Sequence, residues 1–238
     1  MVKKNIKNWD NKTWLSSKKY IQSFNSFLLK QVKLNKDSKI LDIGCGRGKI
    51  LGSLSSRLKL KNKPIGIDIE KHLDRDKRIN FKKVDATNYL KKNKIKFDLI
   101  LIKQTIHLLQ FKEIKQLLVS CSETLNPGGK IIIFSLNTNR NEIPTFLSMR
   151  RKLKKSLNRD KKIIQFILNL NFKALTKNFS FKVNITKKRY IEMIENRYIS
   201  TLLSFKSKEI DRGIKEINDK FKKNIIFRDK LICLILSK

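Results

Sequence analysis

The sequence is poor in the residues that stabilise secreted, metal-binding or loop-rich proteins. Its 238 residues include only 3 cysteines, 3 prolines, 8 glycines and 2 histidines. The cysteines (Cys45, Cys121 and Cys233) are too few and too scattered for a disulfide or zinc framework, and we interpret them as reduced thiols. No metal-ligand spacing is visible. The low glycine and proline content leaves little room for linkers, so we expect one domain over 1–238.

Long apolar runs are also absent. A membrane-spanning helix needs about 20 consecutive apolar residues, and the longest candidate, Leu231 to Leu236, is far shorter. The N-terminal sequence has no apolar stretch of signal-peptide length. We therefore predict a cytoplasmic protein without a transmembrane segment.

Acidic residues are scarce relative to basic ones. The chain has 20 Asp and Glu against 56 Lys and Arg, which gives a net charge of +36. Lysine is spread from end to end with abundant Asn and Ile, as AT-rich coding DNA would produce. The densest cluster, at 150–155, lies on a predicted helix without interleaved aromatic residues for base stacking. This pattern favours a small-molecule partner, and nucleic-acid binding remains the alternative.

What the sequence does contain is a strand, a glycine turn and a helix in succession. Segment 39–49 reads KILDIGCGRGK. Its apolar beginning predicts a buried strand, and apolar residues at 50, 51, 54 and 58 follow a helical period. Glycine lets the backbone turn sharply and approach a ligand. In such a unit the ligand lies at the carboxyl end of a parallel sheet.

Asp42 indicates which ligand the turn accepts. The spacing is G-x-G-x-G rather than the dinucleotide pattern G-x-G-x-x-G, and this acid precedes the first glycine by two residues. A carboxylate there would repel a pyrophosphate and attract an ammonium group. A nucleoside with a cationic or zwitterionic tail fits, and S-adenosylmethionine has that character.

Segment 39–49 resembles the first motif of the class I S-adenosylmethionine-dependent methyltransferases, and four further segments follow in that family's order. PIGID at 64–68 ends in an acid that in the family binds the ribose hydroxyls, KVDA at 83–86 resembles the adenine-binding motif, and FDLILI at 97–102 resembles the fourth strand. LNPGGKIIIF at 125–134 resembles the turn and fifth strand. The resemblance implies S-adenosylmethionine as cofactor and a cofactor-binding set of Asp42, Gly44, Cys45, Gly46, Gly48, Asp68, Ile69, Asp85, Ala86, Lys103 and Gln104.

The resemblance also implies the fold. We expect an α/β protein with a doubly wound, mostly parallel seven-stranded sheet, the last strand antiparallel, and helices on both faces. Residues 1–36 would form an N-terminal helical lid, in which Thr13 caps a helix at 13–33. Residues 37–136 would form the cofactor-binding core, and 137–238 the cover helices and the last two strands. In the last part, the patterns predict helices at 145–157, 160–170, 187–203 and 207–221. They also predict strands at 179–185 and 225–236, the second of them bent at Arg228–Asp229.

Methyl transfer requires alignment, and a base where the acceptor carries a proton. His107 follows the fourth strand and is the candidate base; the alternative is a histidine that packs at a helix start. The second histidine, His72, falls in a charged segment that we expect to be an exposed loop. Tyr190 and Arg197 would share one face of a helix, where Arg197 would hold an acidic acceptor or simply reach solvent. Trp14 and Tyr20 would cover the sulfonium or serve as a hydrophobic anchor.

These residues predict a methyltransferase that acts on a small molecule with a carboxylate or hydroxyl group. The alternatives are an RNA methyltransferase that uses the basic surface, and a non-catalytic cofactor-binding protein. The N/D-P-P-F/Y segment of nucleic-acid amino methyltransferases is absent from the sequence: Ile102-Lys-Gln-Thr105 occupies that place.

Overall fold

A computed structural model describes residues 13–72 and 74–238 of the chain. Within them, one sheet contains seven strands, with helices on both of its faces. The strands are β1 (Ile40–Ile43), β2 (Ile65–Asp68), β3 (Asn80–Lys83), β4 (Phe97–Lys103), β5 (Leu125–Leu136), β6 (Lys173–Thr186) and β7 (Asn224–Ser237). The helices are α1 (Lys18–Leu29), α2 (Lys49–Leu58), α3 (Ala86–Lys92), α4 (Phe111–Glu123), α5 (Leu147–Leu168), α6 (Lys187–Glu195) and α7 (Ser207–Lys220).

The strand order is β3-β2-β1-β4-β5-β7-β6. Strands β1 to β5 pair in parallel, and β7 pairs antiparallel with both β5 and β6. The predicted fold, with the last strand antiparallel, is confirmed. The order reverses between β1 and β4, and ligands of open α/β sheets bind at such a switch point.

Alternating residues of β4 divide the core into two layers. Leu99 and Leu101 pack with α1, α2, α6 and α7, whereas Ile100 and Ile102 pack with α3, α4 and the second half of α5. All four side chains are fully buried, as expected for a parallel strand covered on both faces.

Strands β6 and β7 are longer than the sequence pattern predicted. Their pairing is continuous, from Lys173 opposite Ser237 to Thr186 opposite Asn224, and the predicted bend at Arg228–Asp229 is not present. Leu136 is the last residue of β5 to pair with β7, opposite Leu231. The hairpin therefore extends beyond the carboxyl end of β5, and α6 and α7 connect its two strands at the far end. The predicted cover helices thus lie on an extension of the sheet itself.

Three predicted helix boundaries were wrong. Residues 147–168 form one helix, because the apolar positions Met149 and Ile163 continue one buried stripe across the expected break. Helix α6 ends at Glu195 rather than at residue 203. Just past this end, Arg197 adopts a left-handed φ of 51°, and the Tyr198 N–H donates to Met193 O at 3.1 Å. The N-terminal segment begins with a 3-10 turn at Trp14–Ser16, and Ser17 rather than Thr13 caps α1.

Candidate active site

The glycine turn follows β1 and lies against the end of β2. Gly44, Gly46 and Gly48 have φ angles of 72°, 54° and 69°, a backbone region that side chains disfavour. The Gly44 and Cys45 N–H groups donate to Ile67 O at 2.9 and 3.1 Å. Gly48 then serves as the N-cap of α2. The turn thereby directs the start of α2 towards the carboxyl edge of the sheet.

Close packing requires glycine at two positions of this turn. A Cβ on Gly44 would lie 2.2 Å from Thr105 Oγ1, and one on Gly48 would lie 2.2 Å from Ile79 Cδ1. A Cβ on Gly46, in contrast, would have no atom of the described residues within 4 Å. Gly44 therefore holds β1 and the loop after β4 in contact, whereas Gly46 faces open space.

Cys45 points away from this space. Its Sγ faces Gly66 of β2 so closely that a Cβ added to Gly66 would lie 2.8 Å from the sulfur. Burial, together with the nearby carboxylates of Asp42 and Asp68, raises the pKa of this thiol well above its usual range. The residue is therefore suited to contribute its backbone rather than a nucleophile.

Asp68 closes the glycine turn at the end of β2. One of its carboxylate oxygens accepts the Gly46 N–H at 2.8 Å, and the other accepts the Glu70 N–H at 2.9 Å. The following side chain, Ile69, is 56% exposed. A half-buried acid beside an exposed apolar side chain suits a ligand that combines hydroxyl groups with a flat apolar ring.

Asp42 is buried in the middle of β1, with 4% of its surface exposed. Burial raises the pKa of this carboxyl from 3.8 to about 7, the Lys103 ammonium opposes the rise, and the Asp68 carboxylate adds to it. Between about pH 4 and pH 7, the folded protein therefore holds a proton on Asp42 that the unfolded chain has released. Ionised Asp42 is stabilised by any ammonium group placed beside it.

We expect proton release when S-adenosylhomocysteine binds near pH 6. Its ammonium group would favour the ionised form of Asp42 and lower the raised pKa, so affinity should increase with pH between about 5 and 7. Calorimetry in two buffers of different ionisation enthalpy measures the released proton. Asp42→Asn should abolish the release, and an unchanged proton count in that variant would contradict the assignment.

The raised pKa of Asp42 also determines how the stability of the fold depends on pH. Because Asp42 holds its proton more tightly in the folded state, its contribution to stability is present below about pH 4 and is lost as the pH rises to about 7.

Asp85 is the N-cap of α3, and Ala86 is the first residue of this helix. Both lie at the carboxyl edge of the sheet, just past the end of β3. Asp85 is exposed, and its Oδ1 accepts the N–H groups of Thr87 and Asn88 at 2.9 and 3.1 Å. Both of these bonds use the same oxygen. The carboxyl group is thus held at the helix start beside the end of β3.

Lys103 is the last residue of β4, and Gln104 follows it next to the glycine turn. Their predecessor Ile102 pairs with Ile43, the last residue of β1. Gln104 adopts a left-handed φ of 53°, a strained conformation that tends to occur at functional sites. The Lys103 Nζ donates to Gln104 Oε1 at 3.2 Å and lies 5.6 Å from the ring of Tyr20.

His107 occupies a 3-10 turn beyond this loop, and it is half-buried. Burial and the neighbouring Arg159 guanidinium lower the pKa of its imidazole from 6.5 to about 4. Arg159 donates to the backbone O of His107 at 2.6 Å and of Leu109 at 3.0 Å. The imidazole is therefore neutral at neutral pH, and the role of base stays a prediction.

The predicted acceptor residues are brought together only in part. Tyr190 and Tyr198 are fully buried, and their hydroxyl oxygens lie 2.8 Å apart. Tyr190 also donates to Pro144 O. Arg197 lies past the end of α6, so the predicted shared helix face of Tyr190 and Arg197 was wrong.

Trp14 and Tyr20 lie on the same side of the sheet as α6, covered by the last hairpin. The Trp14 ring makes edge contacts with Tyr198 and Phe227 at centroid distances of 5.4 and 5.0 Å. Tyr20 makes edge contacts with Phe181 at 5.2 Å. These two residues therefore pack against the cover in this structure.

Asp229 was predicted from the sequence only as part of a bend in the last strand, with no role in the site. This carboxylate is 1% exposed and accepts a hydrogen bond from Trp14 Nε1 at 3.0 Å. Its position within an alternating strand, with Phe227 and Leu231 buried on either side, was the available signal. His72 was also misjudged: it is 4% exposed rather than an exposed loop residue.

Two features of residues 13–72 and 74–238 bear on alternative functions. They contain no group of three or more His, Cys, Asp or Glu side chains placed to hold a metal ion. No helix among them has the length and apolar character needed to cross a membrane.

Residues 40–129 match the family described as a methyltransferase domain. This part of the chain is a methyltransferase domain. No curated protein sequence matches it significantly. The predicted S-adenosylmethionine-dependent methyltransferase class is thereby confirmed, while the single-domain boundary and the roles of individual residues stay predictions.

Solved structures of low sequence identity share the fold of this methyltransferase domain. A putative methyltransferase from an antibiotic biosynthesis pathway of Anabaena variabilis has a TM-score of 0.68 at 11% identity, over 90% of this chain and 96% of that one. A methyltransferase of Geobacter sulfurreducens bound to S-adenosylhomocysteine has a TM-score of 0.55 at 15% identity, over 93% and 91%. The plantazolicin methyltransferase BpumL, in complex with a monoazolic desmethylPZN analog and S-adenosylhomocysteine, has a TM-score of 0.53 at 19% identity, over 97% of this chain and 88% of that one.

Proposed function

We propose that this methyltransferase transfers the methyl group of S-adenosylmethionine to a small molecule. The observation that carries the proposal is the convergence of Asp42, Asp68 and the glycine turn at the β1–β4 switch point, next to Lys103. Asp42 would hold the amino group of the cofactor, and Asp68 would accept hydrogen bonds from the ribose hydroxyls. Ile69 and the start of α3 at Asp85 and Ala86 would hold the adenine.

The sulfonium of the cofactor supplies an activated methyl group. The residues of the chain would align the acceptor for in-line displacement and exclude water, which is where most of the acceleration would arise. Lys103 and Gln104 line the loop beside the glycine turn. Their place suits contacts with the amino-acid end of the cofactor.

The enclosed aromatic side of the site supports a small acceptor. Tyr20, Tyr190 and Tyr198 are each fully buried beneath the last hairpin, and a polymer backbone would not fit between them without displacing the cover. Two structural neighbours, named as a putative methyltransferase from an antibiotic biosynthesis pathway and as the plantazolicin methyltransferase, are consistent with this size class.

A nucleic-acid acceptor is the second candidate, favoured by the basic surface. Arg150, Arg151, Lys154 and Lys155 are exposed on one stretch of α5. If this charge is only compositional, affinity for a random RNA duplex should be weak at physiological salt and should fall steeply as salt rises. Sequence-selective binding that survives about 200 mM salt would favour this candidate.

We expect S-adenosylmethionine and S-adenosylhomocysteine to raise the melting temperature, and NAD to leave it unchanged. The reason is that Asp42 attracts an ammonium group and repels a pyrophosphate. Thermal shift measures the ligand effect, and isotopically labelled S-adenosylmethionine incubated with cell extract then identifies the acceptor fraction. Equal stabilisation by NAD would contradict the cofactor assignment, and label in tRNA or rRNA would contradict the small-molecule assignment.

A further inference from the structure

A buried guanidinium lies inside the glycine turn, where the proposed reaction gives it no role. Arg47 stands between Gly46 and Gly48 and is 5% exposed. Its Nη1 donates to Asp74 Oδ2 at 2.7 Å, and Asp74 belongs to the connection between β2 and β3. Charged side chains are almost never buried to this degree unless they are paired. The ion pair therefore joins the glycine turn to that connection.

The second half of the β2–β3 connection packs on α2 through polar contacts. No helix occurs among the described residues of this connection. The Asp76 N–H donates to Arg47 O at 2.9 Å, and the buried Asp76 carboxylate accepts a hydrogen bond from Arg78 Nε at 2.8 Å. Arg78 Nη1 in turn donates to Ser56 Oγ of α2 at 2.9 Å. A Cβ on Gly52 of α2 would lie 2.3 Å from Asp76 Cγ, so the helix and the connection are in direct contact.

The same turn also holds the first half of the connection. Gly46 N–H donates to one oxygen of Asp68, and the other oxygen accepts the Glu70 N–H. Ile69, which would contact the adenine, is largely exposed and follows directly after Asp68. The segment that would meet the nucleoside is thus joined to the glycine turn on one side by Asp68 and on the other by the Arg47 ion pair.

We propose that Arg47 is a positioning residue for cofactor binding. Its ion pair with Asp74 holds the β2–β3 connection in the conformation in which Asp68 and Ile69 meet the nucleoside. A segment that is already ordered costs less to bind than one that the ligand must order. Arg47 acts through this connection and need not contact the cofactor. The inference rests on the proposed methyltransferase function and adds a residue to its cofactor site.

A second ion pair at the opposite edge of the sheet provides a matched comparison. Lys61 Nζ lies 2.7 Å from Asp37 Oδ1, the same separation as in the first pair, but its two side chains are 58% and 57% exposed. Asp37 precedes β1 and so lies at the amino end of the parallel strands, away from the glycine turn. Exposed pairs contribute little because water and salt screen them, whereas the Arg47 side chain is shielded from both.

Binding of two nucleosides measures the effect. The probes are S-adenosylhomocysteine and 5′-methylthioadenosine, which keeps the nucleoside but lacks the amino-acid end. We expect Arg47→Met and Asp74→Asn each to weaken the binding of both ligands by about tenfold, because a charge-assisted hydrogen bond that holds the connection is lost. Asp37→Asn, the matched control, should change neither affinity. Calorimetric titration measures these affinities.

Two further variants show whether the side chains act as a pair. The double variant of Arg47→Met and Asp74→Asn should bind no more weakly than Arg47→Met alone, since removal of one partner already releases the other. Arg47→Lys keeps the charge without the planar fork of donors, so it should recover part of the lost affinity. Losses that add in the double variant would contradict the pairing.

Amide hydrogen exchange in the free protein separates positioning from a general loss of structure. In Asp74→Asn, the Gly46 and Glu70 N–H groups, which bond Asp68, should exchange at least about tenfold faster than in the wild type. Amides of β4 should exchange at the wild-type rate. A rise in β4 exchange equal to that at Glu70 would show that only global stability has changed, and it would overturn the inference.

Unchanged affinity in both Asp74→Asn and Arg47→Met would overturn the inference. A loss confined to S-adenosylhomocysteine would do so as well, because Arg47 would then act on the amino-acid end of the cofactor. The side chain of Asp74 is 45% exposed, so Asp74→Asn provides the test even where Arg47→Met does not fold. Failure of the wild type to bind S-adenosylhomocysteine would instead contradict the proposed function.

Discussion

Gly44→Ala is expected to destabilise the fold by about 2–5 kcal/mol and to weaken S-adenosylhomocysteine binding at least tenfold. Two effects add. The φ of 72° disfavours any side chain, and the new Cβ would lie 2.2 Å from Thr105 Oγ1. Relief of that contact requires β1 and the loop after β4 to separate, which moves Asp42 away from Lys103. Urea denaturation and calorimetric titration measure the two losses.

Gly46→Ala is the matched control for this prediction. It introduces the same methyl group at a φ of 54° but into open space. Its destabilisation should therefore be limited to the backbone preference, about 1–2 kcal/mol. Equal losses in the two variants would show that the contact with Thr105 is not what requires glycine.

Phe24→Ala is expected to lower the free energy of unfolding by about 3–5 kcal/mol. This side chain is fully buried, and its ring centroid lies 4.5 Å from that of Phe134 in β5 and 5.5 Å from that of Phe179 in β6. It joins α1 to two strands of the sheet at once. Removal would leave a closed cavity, because rings on both sides are held by the sheet.

Phe27→Ala, one turn later in α1, is the control. The Phe27 ring contacts the same two strands at 6.0 and 5.5 Å but is only half-buried. Its removal should cost about 1–2 kcal/mol, since less apolar area returns to water and solvent can enter the space. Both variants change helix propensity equally, so the difference between them reports burial. If Phe27→Ala were the more destabilising variant, the proposed docking of α1 through Phe24 would be wrong.

The cofactor side of the site was predictable because its elements are continuous in sequence. Segment 39–49 contains a strand, a turn and a helix start, and each imposes a local requirement: buried apolar residues, left-handed φ angles and an N-cap. PIGID at 64–68 likewise combines a buried strand with a terminal acid. Strands of a parallel sheet end at the same edge, so these local signals also predicted which residues converge.

The aromatic region beneath the last hairpin was less predictable because its groups come from distant parts of the chain. Trp14 and Asp229 are 215 positions apart, and no local pattern marks them as partners. The predicted pairing of Tyr190 with Arg197 failed because a left-handed residue ended α6 early. The prediction from periodicity assumed that α6 continues past Glu195. In the structure α6 ends there, and Tyr198 packs against Tyr190 instead.

The sequence alone thus determined the methyltransferase class and the seven-stranded sheet through its resemblance to the family over residues 38–136. The alternation of strands and helices independently predicted a mostly parallel sheet with right-handed crossovers. Tertiary structure decided which polar groups are buried together. Asp229 and His72 are both charged or titratable residues that local hydropathy assigns to the surface. The burial of Asp229 depends on the last hairpin extending past β5 and on Trp14, far away in the chain. Such long-range contacts leave no periodic trace in the sequence.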